Sequence, residues 1–373
     1  MRSLVAWRLL LHDRSSTAGV LLGVVAIVFL VGQQLSIYFG LLNYMSVLVD
    51  HSGADVWVMS SRVTNVDAGG LVSVRYWDRL VGLPEVAWVE PILIGTGLFR
   101  KPDGGFEQVR VVGVRQPRLA GGPWAFFQGD SRALLDVENI TVDRLDLEKF
   151  GQPPLGSLTE INAQRVRVGA INEGARGFQG TLVFGSLEKV KEIAGTPPGR
   201  YSALLVKFAP GVDHTQALQR LQALLPNLTV MSTAELSRLT RNYYVTNTGI
   251  GGSFGFSTSV AVLVGVIIIM LTMYASVLNR ERDFAVMRAL GARRRDILVL
   301  VISQALIVSL LGLLVGFFLL ALFLNVVRGS TIPSFMPLVV PPLHAGVTVL
   351  CSLLGSLLAV RQALKAEPAS VFH

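Results

Sequence analysis

Four long apolar runs, at residues 18–40, 253–278, 297–324 and 343–361, constrain this chain more than anything else in it. A helix rises about 1.5 Å per residue and the hydrocarbon layer of a bilayer is roughly 30 Å thick, so each run is of spanning length. Composition agrees. Of 373 residues, 51% are hydrophobic and only 16% are charged, which is too apolar for an ordinary soluble domain. The runs are unevenly spaced. Residues 41–252 separate the first two, whereas the later gaps are only 279–296 and 325–342. The pattern predicts an α-helical membrane protein with four transmembrane helices and a large α+β domain inserted between helices 1 and 2.

Ahead of the first run, residues 1–17 read as an amphipathic helix, with Leu4, Trp7 and Leu11 on one face and Arg2, Arg8 and Arg14 as its charges. A basic start before an apolar run also outlines a signal peptide. The run is long enough to span and no small-x-small site follows it cleanly, so it is read as an uncleaved first helix. Within the insertion, residues 54–60 (ADVWVMS) look like a strand and 74–83 like a short helix. An extended run at 86–99 turns at Pro102-Asp103-Gly104-Gly105 and returns through 108–114. Residues 121–130 read as loop, 131–170 show no clear period, 181–184 suggest a strand and 186–194 a helix. Residues 202–208 read as a strand, Asp213 as the N-cap of a helix to 225, 228–231 as a strand, and Thr233 as the start of another helix. This strand–helix–strand unit buries only one helix face, so it needs the 54–99 elements as partners. The domain is expected to be built from both ends of the insertion, with the middle placed between them. Gly249, Gly251, Gly252 and Gly255 then form a joint or a close helix contact.

Lys and Arg concentrate in the short flanks. Residues 1–17 carry three, 279–296 carry six, and the tail 362–373 with its flank carries Arg361 and Lys365, while 325–342 has only Arg328. The positive-inside rule puts both termini and 279–296 in the cytoplasm and the large domain outside it. The same distribution makes the net charge of +8 a topological signal, with no nucleic-acid partner implied. The spans themselves hold Gln33, Gln34, Gln304 and His344 but no interior Asp, Glu, Lys or Arg. A charge at the bilayer centre costs at least about 2.5–3.5 kcal/mol, so retained charges mark a pathway, and their absence argues against an ion-coupled carrier. His344 reads as an interfacial histidine, since no second ligand lies near it in sequence. The chain contains no GxxxxGK[ST] or HExxH motif, and its one cysteine, Cys351, allows no internal disulfide or thiolate metal site. No catalytic or metal-binding residue is therefore nominated. Gly19 with Gly23 and Gly312 with Gly316 form GxxxG pairs, which permit close packing of helices within a chain or across a dimer.

The segment 279–297, NRERDFAVMRALGARRRDI, is the most charged stretch between apolar runs. Phe284, Met287 and Leu290 recur every third position and mark a helix face, and Gly291 is placed to end that helix in a left-handed residue. It reads either as an inside docking helix or as an arginine-rich loop that fixes topology.

One span, a large external domain and three further spans is a plan that resembles the FtsX/MacB-like (type VII) permeases of ABC transporters. RERDFAVMRALGARRRDI resembles that family's coupling-helix motif, and RQALKAEPA at 361–369 its closing basic stretch. Within the family, GADVWVMS at 53–60, LPEVAWVEPI at 83–92, VVGV at 111–114 and IPSFMPL at 332–338 look most like the DevC-type cyanobacterial permeases. The resemblance implies a homodimer in the bacterial inner membrane, with the large domain periplasmic and a separate cytoplasmic ATPase that binds ATP and Mg, so that this chain needs no cofactor. The implied ATPase contacts are Arg280, Glu281, Arg282, Phe284, Met287, Arg288, Ala289, Leu290, Gly291 and Ala292; the crowded Arg293, Arg294 and Arg295 depart from the family's pattern and are read from their charge as fixing topology and facing lipid headgroups. A periplasmic membrane-fusion adaptor, an outer-membrane channel, and export of a lipid or glycolipid are also implied. The alternative is a non-transport FtsX-type signalling or scaffold protein that regulates a periplasmic partner such as a cell-wall hydrolase.

Overall fold

The computed structural model describes residues 14–278, 286–287 and 290–365. The helices are α1 (Arg14–Asp50), α2 (Arg75–Val81), α3 (Leu187–Ala194), α4 (His214–Leu224), α5 (Thr233–Asn247), α6 (Ile250–Leu278), α7 (Arg294–Val327) and α8 (Val340–Lys365). The strands are β1 (Val56–Ser60), β2 (Val72–Ser73), β3 (Val86–Arg100), β4 (Phe106–Val114), β5 (Phe126–Gln128), β6 (Asn139–Asp143), β7 (Leu158–Ile161), β8 (Gln164–Asn172), β9 (Arg176–Gly177), β10 (Gly180–Ser186), β11 (Arg200–Tyr201), β12 (Ala203–Phe208) and β13 (Leu228–Ser232). Two compact units result: residues up to Gly40 together with those from Gly251 onward, and Leu41–Ile250.

The first unit is helical. Its core is built around α1, where Val20, Val24, Ile27, Val28 and Val31 are buried with Ile269 of α6 and Ile297, Leu300, Val301 and Val308 of α7. Among the described residues, three helical stretches are long and apolar enough to cross a bilayer: Thr17–Asp50, Ile250–Thr272 and Arg294–Val327. The fourth expected span corresponds to α8, a 26-residue helix that includes the apolar stretch Val340–Leu354. It carries a buried polar stripe, His344, Thr348, Ser352 and Ser356, at four-residue spacing.

The second unit is α+β. Strand β1 lies between β12 and β13, antiparallel to both, so the two ends of the insertion meet in one sheet. The fifteen-residue β3 joins that sheet to the middle of the insertion: its first half pairs with β12 and its second half with β4. From there the strand path β4, β10, β6, β8, β7 returns to β3 and closes a barrel. Phe99, Val111, Ile140, Phe150, Ile161, Val166 and Val183 fill it. Helices α2 and α4 cover one face of the β1–β12 sheet through Leu80, Ala217 and Leu221. The other face packs on the last turns of α1 and on α5, through Val47, Leu48 and Leu236 against Trp57 and Leu205.

Local signals account for the helix ends. Ser186 caps α3 by accepting from the Lys189 N–H, Asp213 caps α4 through Thr215, and Ser232 with Glu235 forms a capping box on α5. The segment 131–170, without period in the sequence, holds two short 3-10 turns and strands β6, β7 and β8. Residues 121–130, expected as loop, contain the three-residue β5.

Candidate functional site

Of the residues expected to contact an ATPase, Arg280, Glu281, Arg282, Phe284, Arg288 and Ala289 lie outside the described residues. Met287, Leu290, Gly291 and Ala292 lie within them. The Leu290 N–H donates to the Val286 carbonyl at 2.9 Å, and the Ala292 N–H reaches back to the Met287 carbonyl at 3.0 Å. Gly291 has φ of 95°, and the Ala292 bond is the 6→1 bond of a Schellman-type ending, so a residue with a Cβ would be strained there. The expected apolar face is divided. Met287 packs against the α1–α7 core, whereas Leu290 is 84% exposed. The chain re-enters helix at Arg294, where Asp296 accepts from the Arg293 N–H at 3.0 Å, and Arg293, Arg294 and Arg295 are exposed.

The four nominated glycines sit at helix contacts within this chain. A Cβ on Gly23 would lie 2.8 Å from Ile268 Cγ2 of α6, and one on Gly19 would make ordinary contact with Thr272. Cβ atoms on Gly312 and Gly316 would collide with Val24 and Val28 of α1. The faces of these glycines meet the chain's own helices. Gly32, against Leu320 and His344, and Gly265, against Ile27, do the same work without forming a GxxxG pair. His344 is buried within the helical unit. It is 3% exposed, 5.6 Å from the Phe317 ring, in the space left by the missing side chain of Gly32.

A polar latch in the second unit joins the last turns of α1 to α5. Arg241 Nη2 donates to Asp50 Oδ2 at 2.7 Å, and its Nε donates to Ser46 Oγ at 2.7 Å. Ser46 Oγ donates in turn to the same carboxylate. One turn along α5, the buried Tyr244 donates its hydroxyl to Asp67 Oδ2 at 2.8 Å and accepts from Gln179. Arg110 completes the group, with Nη2 on Asp67 Oδ1 at 2.9 Å and Nη1 on Thr96. Burial first, and then the Asp67 carboxylate, push the Tyr244 hydroxyl well above its ordinary range, so it stays a donor. The segment after β9 is held between the two helices: the Phe178 ring lies 4.7 Å from that of Tyr244, and its N–H donates to the Tyr44 carbonyl.

Sequence reasoning nominated none of these latch residues. Two signals were present: the inward charge of Arg110 within the apolar strand VRVVGV, and the four-residue spacing of the buried Leu236, Thr240 and Tyr244. Among the described residues no group of three or more His, Cys, Asp or Glu is placed to hold a metal. A cleft of about 490 Å³ in the second unit is lined by Arg100, Lys101, Glu160 and Arg165 with Pro102 and Pro154.

The fold and these contacts define a class: a helical membrane unit carrying a large α+β domain between its first and second spanning helices. The MacB-like periplasmic core domain matches residues 16–224 and the FtsX-like permease C-terminal domain matches residues 255–368. The chain belongs to the FtsX/MacB-like family of ABC transporter permeases. It is 24% identical over 336 residues to a pyoverdine export ATP-binding/permease protein of Pseudomonas entomophila, covering 83% of this chain and 50% of that one. It is 24% identical over 331 residues to a macrolide export ATP-binding/permease protein of Bdellovibrio bacteriovorus, covering 81% and 50%. A shorter match, 37% over 123 residues, joins it to an uncharacterized ABC transporter permease of Mycobacterium bovis, covering 31% and 33%. The chain therefore spans about half the length of the export relatives. The periplasmic region of MacB from Actinobacillus actinomycetemcomitans aligns with 51% of this chain and 94% of its own, at 13% identity and a TM-score of 0.38.

Proposed function

We propose that this chain is the membrane subunit of an export-type ABC transporter. A separate cytoplasmic ATPase docks on residues 280–292 and drives the large domain on the periplasmic side. One observation carries the reading: the MacB-like core and the FtsX-like permease regions follow one another in a single chain. The export relatives, whose names join ATP-binding and permease functions, favour the same assignment. Positive flanks favour cytoplasmic termini in a bacterial inner membrane. A homodimer fits α6, whose Phe256, Leu263 and Leu271 are exposed and would meet lipid or a second copy. ATP and Mg belong to the ATPase. A periplasmic adaptor, an outer-membrane channel and a lipid or glycolipid substrate of the DevC type complete the proposal.

The test is co-purification with the ATPase. Leu290 is the better probe than Met287, because Met287 also packs inward. Leu290→Asp combined with Arg288→Asp is expected to abolish recovery of the ATPase while the chain still inserts. Full recovery would refute the docking assignment.

A further inference from the structure

Strand β3 has an open edge where β4 stops. β4 pairs with β3 only from Ile92 to Arg100, while β12 occupies the opposite edge of the first half. Edge protection explains part of what lies there. Pro91 has no N–H to expose, and the Trp77 indole donates to the Val89 carbonyl at 2.9 Å. It does not explain two guanidinium groups. The segment after β4 holds Arg115 over the Trp77 ring, 4.8 Å from its centroid, and Arg118 over the Trp88 ring, at 5.5 Å.

Glu90 lies between them, but loosely. Its Oε1 is 3.3 Å from Arg118 Nε and its Oε2 is 3.9 Å from Arg115 Nη1, both beyond the roughly 2.7–2.9 Å of a charge-assisted bond. The Glu90 side chain is 13% exposed, against 41% and 50% for the two arginines. One inward carboxylate thus faces two outward guanidiniums, and the surface keeps an excess of positive charge and solvent-facing donors. The arginines are also pre-positioned. Gln116 Nε2 donates to the Leu134 carbonyl, Leu119 N–H to the Arg115 carbonyl, and Gly121 N–H to the Ser52 carbonyl. Little ordering cost remains for a partner to meet.

We propose that Arg115 and Arg118, seated on Trp77 and Trp88, form a docking site for an acidic segment of a protein partner outside the cytoplasm. Guanidinium forks match carboxylates in a bidentate manner, and half-buried Trp beside Arg is the composition of binding hot spots. A phosphate would use the guanidiniums and leave the indoles idle. The proposal deepens the export reading, because it takes this face to lie outside the cytoplasm.

The experiment uses the full chain in nanodiscs of neutral phosphatidylcholine. The probe is the peptide acetyl-Glu-Leu-Glu-Glu-Leu-amide, read by calorimetry and tryptophan fluorescence, with the Gln-for-Glu peptide and inorganic phosphate as comparisons. The acidic peptide is expected to bind, and to bind about tenfold more weakly to the Arg115→Ala, Arg118→Ala double variant. The Gln peptide should show the same loss, and Arg100→Ala with Arg165→Ala, in the separate cleft, should show none. Arg118→Glu alone serves if the double variant does not fold, since that side chain is half exposed. Absent binding, equal binding by either Arg variant or by the Gln peptide, or binding of phosphate in place of the peptide would overturn the proposal. ATPase recovery is read separately, so failure here leaves the export reading standing.

Discussion

Two neighbouring aspartates show how charge is buried in this domain. Asp146 is 1% exposed and receives Arg176 Nε at 2.9 Å, Lys149 Nζ at 3.0 Å and Thr181 Oγ1 at 2.5 Å. Burial alone would raise its pKa, but these donors outweigh burial and hold the carboxyl below the usual aspartate range. Asp143 accepts from the Ala175 and Leu145 N–H groups and from Asn172. Burial pushes it up, and the nearby charge of Asp146 adds to the rise. The two shifts act oppositely on stability. A lowered carboxyl stabilises the fold above its unfolded value of 3.8 and loses that contribution as pH falls through the lower folded value. A raised carboxyl opposes folding when ionised, and that cost is relieved as pH falls. Asp146→Asn is therefore expected to cost about 3 kcal/mol at pH 7, because it removes the buried carboxylate charge that Arg176 and Lys149 meet. The deficit should shrink below pH 3.8, while Asp143→Asn, which turns an amide NH2 toward donors on one side of the old carboxylate, should destabilise at pH 7 without that acid recovery. Thermal scans of the full chain across pH read both, and an Asp146→Asn deficit unchanged in acid would show that its charge is not what stabilises.

At the scale of elements, packing in the helical unit depends on what glycine omits. A Cβ at Gly316 would lie 2.6 Å from Val28 Cβ, so α7 and α1 must separate to admit one. Gly316→Leu is expected to cost at least about 1–3 kcal/mol, the scale of overpacking. Gly252, with nothing within 4 Å of its virtual Cβ, should accept Ala without loss and gain up to about 1 kcal/mol of helix propensity. Thermal denaturation in detergent distinguishes the two, and equal effects would contradict this packing. Elements with a strong local signal were legible in the sequence. Asp213 and Thr233 mark the starts of α4 and α5 because capping is written in adjacent residues. The return of 108–114 onto 86–99 was legible because Pro-Asp-Gly-Gly dictates the turn. Strands β6 to β8 were not, because Val142, Ile161 and Val168 acquire their inward side only when the barrel closes over long sequence separations. The inward turn of Met287 was hidden likewise, since threefold spacing gives a face but not what it meets.

At the scale of the molecule, two helices enter the large domain from the apolar runs. α1 continues without a break from Arg14 to Asp50, and α5 is followed by α6 with only Thr248 and Gly249 between them, Gly249 at φ of 75°. The latch ties their residues within the domain, through Arg241 to Asp50 and Tyr244 to Asp67. The overall plan was legible in the sequence because the apolar runs and the flanking charges are long-range statements about solvent. The latch was not, because its residues come from positions 50, 67, 110, 179, 241 and 244, and only the fold brings them together. If the chain is an export permease, ATP-driven motion at 280–292 reaches the domain along α1 and α5, with the latch holding their ends as one body. The most direct measurement is hydrogen exchange on the complex of this chain with its ATPase, with and without a trapped nucleotide. Transmission by this route predicts changed amide protection at 286–292 and also at 44–50 and 241–248, with the changes at the two latch segments uncoupled in an Arg241→Ala, Tyr244→Phe variant. Changes confined to the ATPase and residues 286–292, or identical responses in wild type and variant, would contradict it.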